Sequence, residues 1–212
     1  MSLLSEEDHK IIEAAIKKAE STTSGEIVFT AAEASANYHH ATLQGAIIGM
    51  AIVAAVFLML PIAHTTTSLL WTEVISFAVF YALLPRIPWR RWIISKQEMD
   101  VRVREAAFMQ FYASGLHRTR ESNGVEIYLS LLEREVVVIG DRGIHQKMGG
   151  QHWQDVRDLI ILGIRRGDAR GGICAAIESC GKALAAYFPP RADDVNELSD
   201  RVINRSLHPE AP

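Results

Sequence analysis

Cysteine is scarce in this sequence, and charge is missing from one long stretch of it. The two cysteines, Cys174 and Cys180, lie six positions apart in a segment whose pattern predicts a helix. At that spacing they project to different sides and cannot bridge each other without unfolding the segment. Neither has the C-x-x-C or Cys/His spacing of a zinc site, and neither is followed by the arginine of a cysteine-phosphatase loop. Both read as buried small apolar residues of a reducing compartment. No long basic run and no aromatic–basic interleaving is present, which argues against nucleic acid as a partner. D-x-D, P-loop, G-x-S-x-G and H-E-x-x-H motifs are also missing. The first apolar run starts near Leu43, behind a charged amphipathic segment, so no signal peptide is expected.

The net charge of −3 hides an uneven distribution. From Asn37 to Pro85 the only formally charged side chain is Glu73. Leu43–Ala63 is long enough to cross a hydrocarbon core of about 30 Å. A second run, Ser68–Leu84, continues into an aromatic and basic flank. Pro61 and His64-Thr65-Thr66-Thr67 form a polar turn between them. In lipid the backbone must satisfy itself, so residues 42–87 are expected to form a transmembrane helical hairpin in the bilayer. Arg86, Arg90, Arg91 and Lys96 follow the second run, with Trp89 and Trp92 at interfacial depth, and the turn has no Lys or Arg. The positive-inside rule therefore places both chain ends on the cytoplasmic side of a cell (inner) membrane. Gly45 and Gly49 form a G-x-x-x-G, read either as packing against the partner helix or as a seam for self-association or another membrane protein. Glu73 reads as interfacial or neutralised, with an ion pathway as the alternative.

The polar remainder predicts a mixed α/β domain. Ser5 caps a helix whose stripe is Ile11, Ile12, Ala15, Ile16 and Ala19. Glu26–Thr30 is a strand, completing segment 1–36. Over 96–192, a helix runs from Met99 to about Arg120, with Val103, Ala106, Ala107, Phe108, Phe111 and Leu116 as its apolar face and Val101 beside them. Strands follow at Val125–Leu131 and Glu135–Ile139, joined by a reversal at Glu133-Arg134. Helices are expected from about Trp153 to Arg166 and from about Gly171 to Phe188. Residues 193–212 read as a polar tail. A strand, a helical crossover and another strand imply a parallel pair, and the next hairpin adds an antiparallel strand. The expected fold class is α/β, a small mixed sheet flanked by helices, with the membrane hairpin inserted in one crossover.

Three blocks of residues resemble the TPM-domain family. They are Ser24-Gly25-Glu26-Ile27-Val28; Val103-Arg104-Glu105-Ala106 with Phe111 and Gly115-Leu116; and Asn123–Ser130. Glu133–Gly150 with Trp153, then Gly171-Gly172-Ile173 and Phe188-Pro189-Pro190, resemble its second half. The resemblance implies an α/β/α sandwich commonly tied to membranes. Some family members are linked to photosystem maintenance, some are assigned phosphatase activity, and some bind divalent cations such as Ca²⁺ or Mg²⁺. The expected cytoplasmic placement departs from the family's extracytoplasmic roles.

Candidate chemistry gathers where strand ends meet. An antiparallel third strand brings Asp141 to the edge where the first strand starts at Glu26, two oxygen donors for a hard cation. Arg142 or Lys147 would meet an anion there. In the plainer reading Asp141 and Gly143 only turn the chain and Arg142 pairs with Glu26. His39-His40 reads as a metal pair or as interfacial residues, His145 or His152 as a general base beside a Gly-rich loop, and Asp193-Asp194 as a cation site or a helix cap. Three functions follow: a noncatalytic interaction or assembly module at the membrane, a phosphatase-like hydrolase of phosphate esters, or a divalent-cation-binding accessory domain.

Overall fold

The structure is a computed structural model that describes residues 4–61, 65–86, 91–147, 150–191, 197–199 and 201–205. The chain divides into two compact units: Met1–Ala36 with Asp100–Pro212, and Asn37–Met99.

The first unit is built on a four-stranded mixed sheet of order β3-β2-β1-β4. Its strands are β1 (Glu26–Ala32), β2 (Gly124–Ser130), β3 (Glu135–Gly140) and β4 (Ile203–Arg205). β1 and β2 run parallel, with Glu26 opposite Gly124, and β2 and β3 are antiparallel, with Val125 opposite Gly140. The reversal between β2 and β3 falls at Arg134, whose φ of 56° marks a tight left-handed turn. β4 pairs parallel to β1 through Thr30–Ile203 and Ala32–Arg205. The polar tail, 193–212, was expected to make a short capped turn and then fray, and this strand corrects that expectation.

Strand alternation sorts the side chains onto two faces. Ile27, Phe29, Val125, Ile127, Leu129 and Val136 point to the main core, where α1 (Glu6–Glu20), α6 (Gly150–Arg165) and α7 (Ala169–Tyr187) supply Ile12, Ile16, Val156, Ile160, Ile173 and Ile177. Ser5 and Asp8 form a reciprocal capping box at the start of α1, as the sequence suggests. Gly167, at φ 78°, ends α6, and Asp168 caps α7 by accepting the Gly171 N–H at 2.9 Å. Both cysteines are free; Cys180 is fully buried in α7, and burial pushes its thiol up to about 12.

The opposite sheet face is covered by α4 (Lys96–Ala113), which lays Val103, Ala106, Ala107 and Phe111 over Val28, Ala32 and Tyr128. Phe108 was expected on this buried face, with Val101 beside it. Phe108 points outward instead and is 53% exposed, and Val101 is exposed beside it. Apolar residues occur on both sides of α4, so its pattern alone does not select the buried one. The helix also stops at Ala113, short of Arg120, because Gly115 takes a left-handed conformation at φ 83°. α5 (Arg142–Lys147) replaces the simple turn expected after β3, and α6 starts three residues earlier than the sequence pattern suggests.

The second unit is a helical hairpin, α2 (His39–Met59) and α3 (Thr66–Leu83), and both helices are long and apolar enough to cross a membrane. The face holding Gly45 and Gly49 is in contact within the hairpin. A Cβ at Gly49 would meet the Phe80 ring at 2.7 Å, and one at Gly45 would meet Leu84 at 2.8 Å. The glycines therefore let the two helices approach closely, the first of the two readings offered for them.

Candidate functional site

β1 and β2 start at the same end of the sheet where β3 finishes, and this end gathers most of the residues singled out in the sequence. Glu26 opens β1, and its carboxylate accepts the Glu197 N–H at 3.0 Å. Asp141 follows β3; its N–H donates to the Gly124 carbonyl at 2.9 Å, and its own Oδ1 accepts the Arg142 N–H at 2.6 Å. The two acids share an edge, as the topology requires, but β2 lies between β1 and β3. Two strand spacings separate their backbones, about 10 Å. Among the described residues no group of three or more His, Cys, Asp or Glu is placed to hold a metal ion. Asp141 Oδ2 is buried without a hydrogen-bond partner among those residues.

The two candidate anion binders are separated by α5. Arg142 opens that helix and is exposed. Lys147 closes it and lines a cleft of about 430 Å³ with Glu121, Tyr187, Phe188, Pro189 and Arg191. Its Nζ stands 4.1 Å from the centre of the Phe188 ring. Across the cleft Arg191 forms an ion pair with Glu121, whose other oxygen accepts a hydrogen bond from Ser24 Oγ at 3.2 Å. Thr23 Oγ1 and Ser24 N–H both donate to the Phe188 carbonyl, at 2.6 and 3.0 Å, and Asn123 Nδ2 donates to the Ser24 carbonyl. Gly124 lies against Leu116, where a Cβ would stand 2.6 Å from the leucine side chain. The Ser24-Gly25, Gly115-Leu116, Asn123-Gly124 and Phe188-Pro189 blocks thus converge at one end of the sheet.

A second polar cluster, which no motif in the sequence marks, is buried between the sheet and α4. Glu126, Tyr128 and Ser130 alternate along β2 on the face that α4 covers. At the Ser130 end the polar groups satisfy one another. Ser35 Oγ lies 2.8 Å from Ser130 Oγ and 3.4 Å from the Tyr128 hydroxyl, Ser130 donates to Glu133, and the Ser35 N–H donates to the same carboxylate at 3.0 Å.

At the other end Glu126 is fully buried, and neither carboxylate oxygen has a hydrogen-bond partner among the described residues. Thr30 and Ser114 supply nearby hydroxyls that favour the charged form, but the Ser114 hydroxyl already donates to the α4 carbonyls of Gln110 and Phe111. Burial dominates and pushes the Glu126 carboxyl up to about 8, so it is protonated at neutral pH. The same burial raises the Tyr128 hydroxyl. The sequence signal was the alternation of Val125, Ile127 and Leu129 with Glu126, Tyr128 and Ser130. That pattern usually marks a solvated face, and here a helix closes it.

The remaining candidates are dispersed. His40 Nε2 lies 3.2 Å from Glu98 Oε2, and His39 is exposed. His152 packs edge-on against Trp153, with its Nε2 buried and unpartnered among the described residues. The His145 side chain and Asp193-Asp194 lie outside the described residues. Glu73 is half-buried on α3, one turn before Ser76, whose hydroxyl donates to the Glu73 carbonyl at 3.0 Å.

Together these elements define a mixed α/β unit with helices on both faces of a four-stranded sheet, in a chain that also carries an apolar two-helix hairpin. No protein-family model matches the chain, and no curated protein matches its sequence. Among solved structures it is similar to the NMR structure of the BA42 protein from the psychrophilic bacterium Bizionia argentinensis sp. nov.. The two share 23% sequence identity at a TM-score of 0.59, over 96% of each chain. That likeness carries the fold.

Proposed function

We propose that this chain is a membrane-anchored, TPM-like domain protein that works as a noncatalytic interaction or assembly module at the cytoplasmic face of the membrane. The observation that carries the reading is the outer surface of the hairpin. Ile48, Ile52, Val56, Leu70, Trp71, Val74 and Ile75, on both helices, are all more than half exposed, far more apolar exposure than a pair of helices keeps in water. Convergence of the family-like blocks at one end of the sheet supports the TPM-like part of the reading. The interaction role is favoured over hydrolysis or cation binding because Glu26 and Asp141 each accept a backbone N–H and stand two strand spacings apart.

Alkaline extraction of membranes tests the anchor. The full chain is expected to stay in the membrane pellet. A double substitution Ile52→Arg and Val74→Arg, each costing about 2.5–3.5 kcal/mol near a helix centre, is expected to release most of it. Release of the unsubstituted chain by alkali would contradict the reading.

A further inference from the structure

The exposed apolar side chains of the α/β unit are concentrated on one helix. Among its described residues the large exposed hydrophobics are Ile11, Leu162 and Tyr187, which are scattered, and Val101, Phe108, Met109 and Tyr112 on α4. Positions 101, 108 and 112 follow helical spacing, and 109 flanks them, so these four share one stripe opposite Val103, Ala107 and Gln110. Tyr112 extends the stripe toward His117, whose ring centre is 5.0 Å away. The one acid within the stripe, Glu105, is held by Arg102 at 3.0 Å. Arg104 is exposed and has a long apolar stem that can lie along such a surface.

A helix that is apolar on both sides needs cover on both. The sheet supplies one cover. Two features identify the other. First, the chain is short on both sides of the hairpin: residues 33–38 separate β1 from α2, and residues 84–95 separate α3 from α4. At about 3.5 Å per residue even the longer connector reaches roughly 40 Å at full extension. A bilayer holding the hairpin is therefore always within reach of α4. Second, the chemistry of the stripe is that of an interfacial surface. It combines an aromatic pair, a methionine and an aliphatic residue with arginines at the margin, and one of the aromatics is a tyrosine with its polar tip.

We infer that the outer face of α4 rests in the headgroup–acyl boundary of the bilayer, so that the α/β unit is docked on the membrane as well as tethered to it. The inference rests on the membrane reading above. It assigns the unit a fixed lipid-facing side, with α7 directed to solvent.

Variants of the full chain carrying one added cysteine, in nanodiscs of zwitterionic and anionic lipid, test this on a Cys174→Ser background, where the remaining native thiol, Cys180, is fully buried and the added thiol takes a polarity-sensitive fluorophore. The sites are Phe108→Cys on the stripe, Lys182→Cys on the exposed side of α7, and Val74→Cys on α3. Lipids with a quencher high in the acyl chain are expected to quench the label at 108 several-fold more than the label at 182. Aqueous iodide is expected to show the reverse order. Equal iodide access at 108 and 182 would overturn the inference, as would a disulfide between two copies of the unlabelled Phe108→Cys chain under an added oxidant. The label at 74 separates the two claims. Quenching at 74 without quenching at 108 defeats only the docking of α4, whereas no quenching at 74 defeats the membrane reading itself.

Discussion

Replacing Glu126 by glutamine is expected to stabilise the protein at pH 9 by on the order of 4 kcal/mol and to change little at pH 4. The wild-type carboxyl goes from an ordinary value of 4.5 to about 8 on folding. Each unit is worth about 1.4 kcal/mol, which sets the size of the effect. Its sign follows from proton binding. Between those values the folded state holds the proton and the unfolded state has released it, so stability is full below pH 4.5 and falls as pH rises toward 8. Glutamine keeps the shape and stays neutral. Denaturant unfolding of the full chain in detergent, repeated from pH 4 to pH 9, is the measurement. The wild-type curve should decline steeply above pH 5, and the Glu126→Gln curve should lack most of that decline. Two parallel curves would mean that the carboxyl is solvated or paired.

Gly163→Ala is expected to cost about 3 kcal/mol, at the upper end for overpacking. α6 and α7 cross where Gly163 faces Gly172. A Cβ at Gly163 would stand 2.6 Å from the Gly172 Cα and 2.7 Å from the Asp168 carbonyl oxygen. Both neighbours are backbone, so no rotamer change relieves the clash and the helices must part. Separation would loosen Ile160, Ile173 and Ile177 in the main core. Gly167→Ala is the internal comparison. Gly167 has open space around it but sits at φ 78°, so alanine there should cost only about 1 kcal/mol, from backbone strain. A thermal or denaturant series in which Gly167→Ala is the more damaging would contradict the close crossing.

Local pattern made much of this fold legible. The stripe of α1, the β-branched run of β3, the stop at Pro189 and the parallel pairing of β1 with β2 all follow from period, turn chemistry and handedness. What was not legible depended on tertiary context. Phe108 and Phe111 are equally apolar, and only the sheet beneath α4 decides that Phe111 is buried. Glu126 sits in a regular alternating strand, which does not say that a helix covers its polar side. β4 is three residues long and has no period of its own; its place is set by pairing with β1 and by the Val202 N–H donating to Glu13. At the sheet edge, topology brought Glu26 and Asp141 to one end. It did not reveal that each is already engaged by a backbone N–H.

Under the proposed anchoring, a membrane-crossing hairpin inserted within a single α/β domain would leave both chain ends on the same side of the membrane, and a topology assay reads this directly. Reporters at the two ends of the chain and one inserted in the turn before Thr66 are the measurement. Cytoplasmic activity is expected at both ends, with an extracytoplasmic signal from the turn. An N-terminal reporter inside with a C-terminal reporter outside would contradict it, because Met1–Ala36 and the segment after Asp100 could not then complete one sheet.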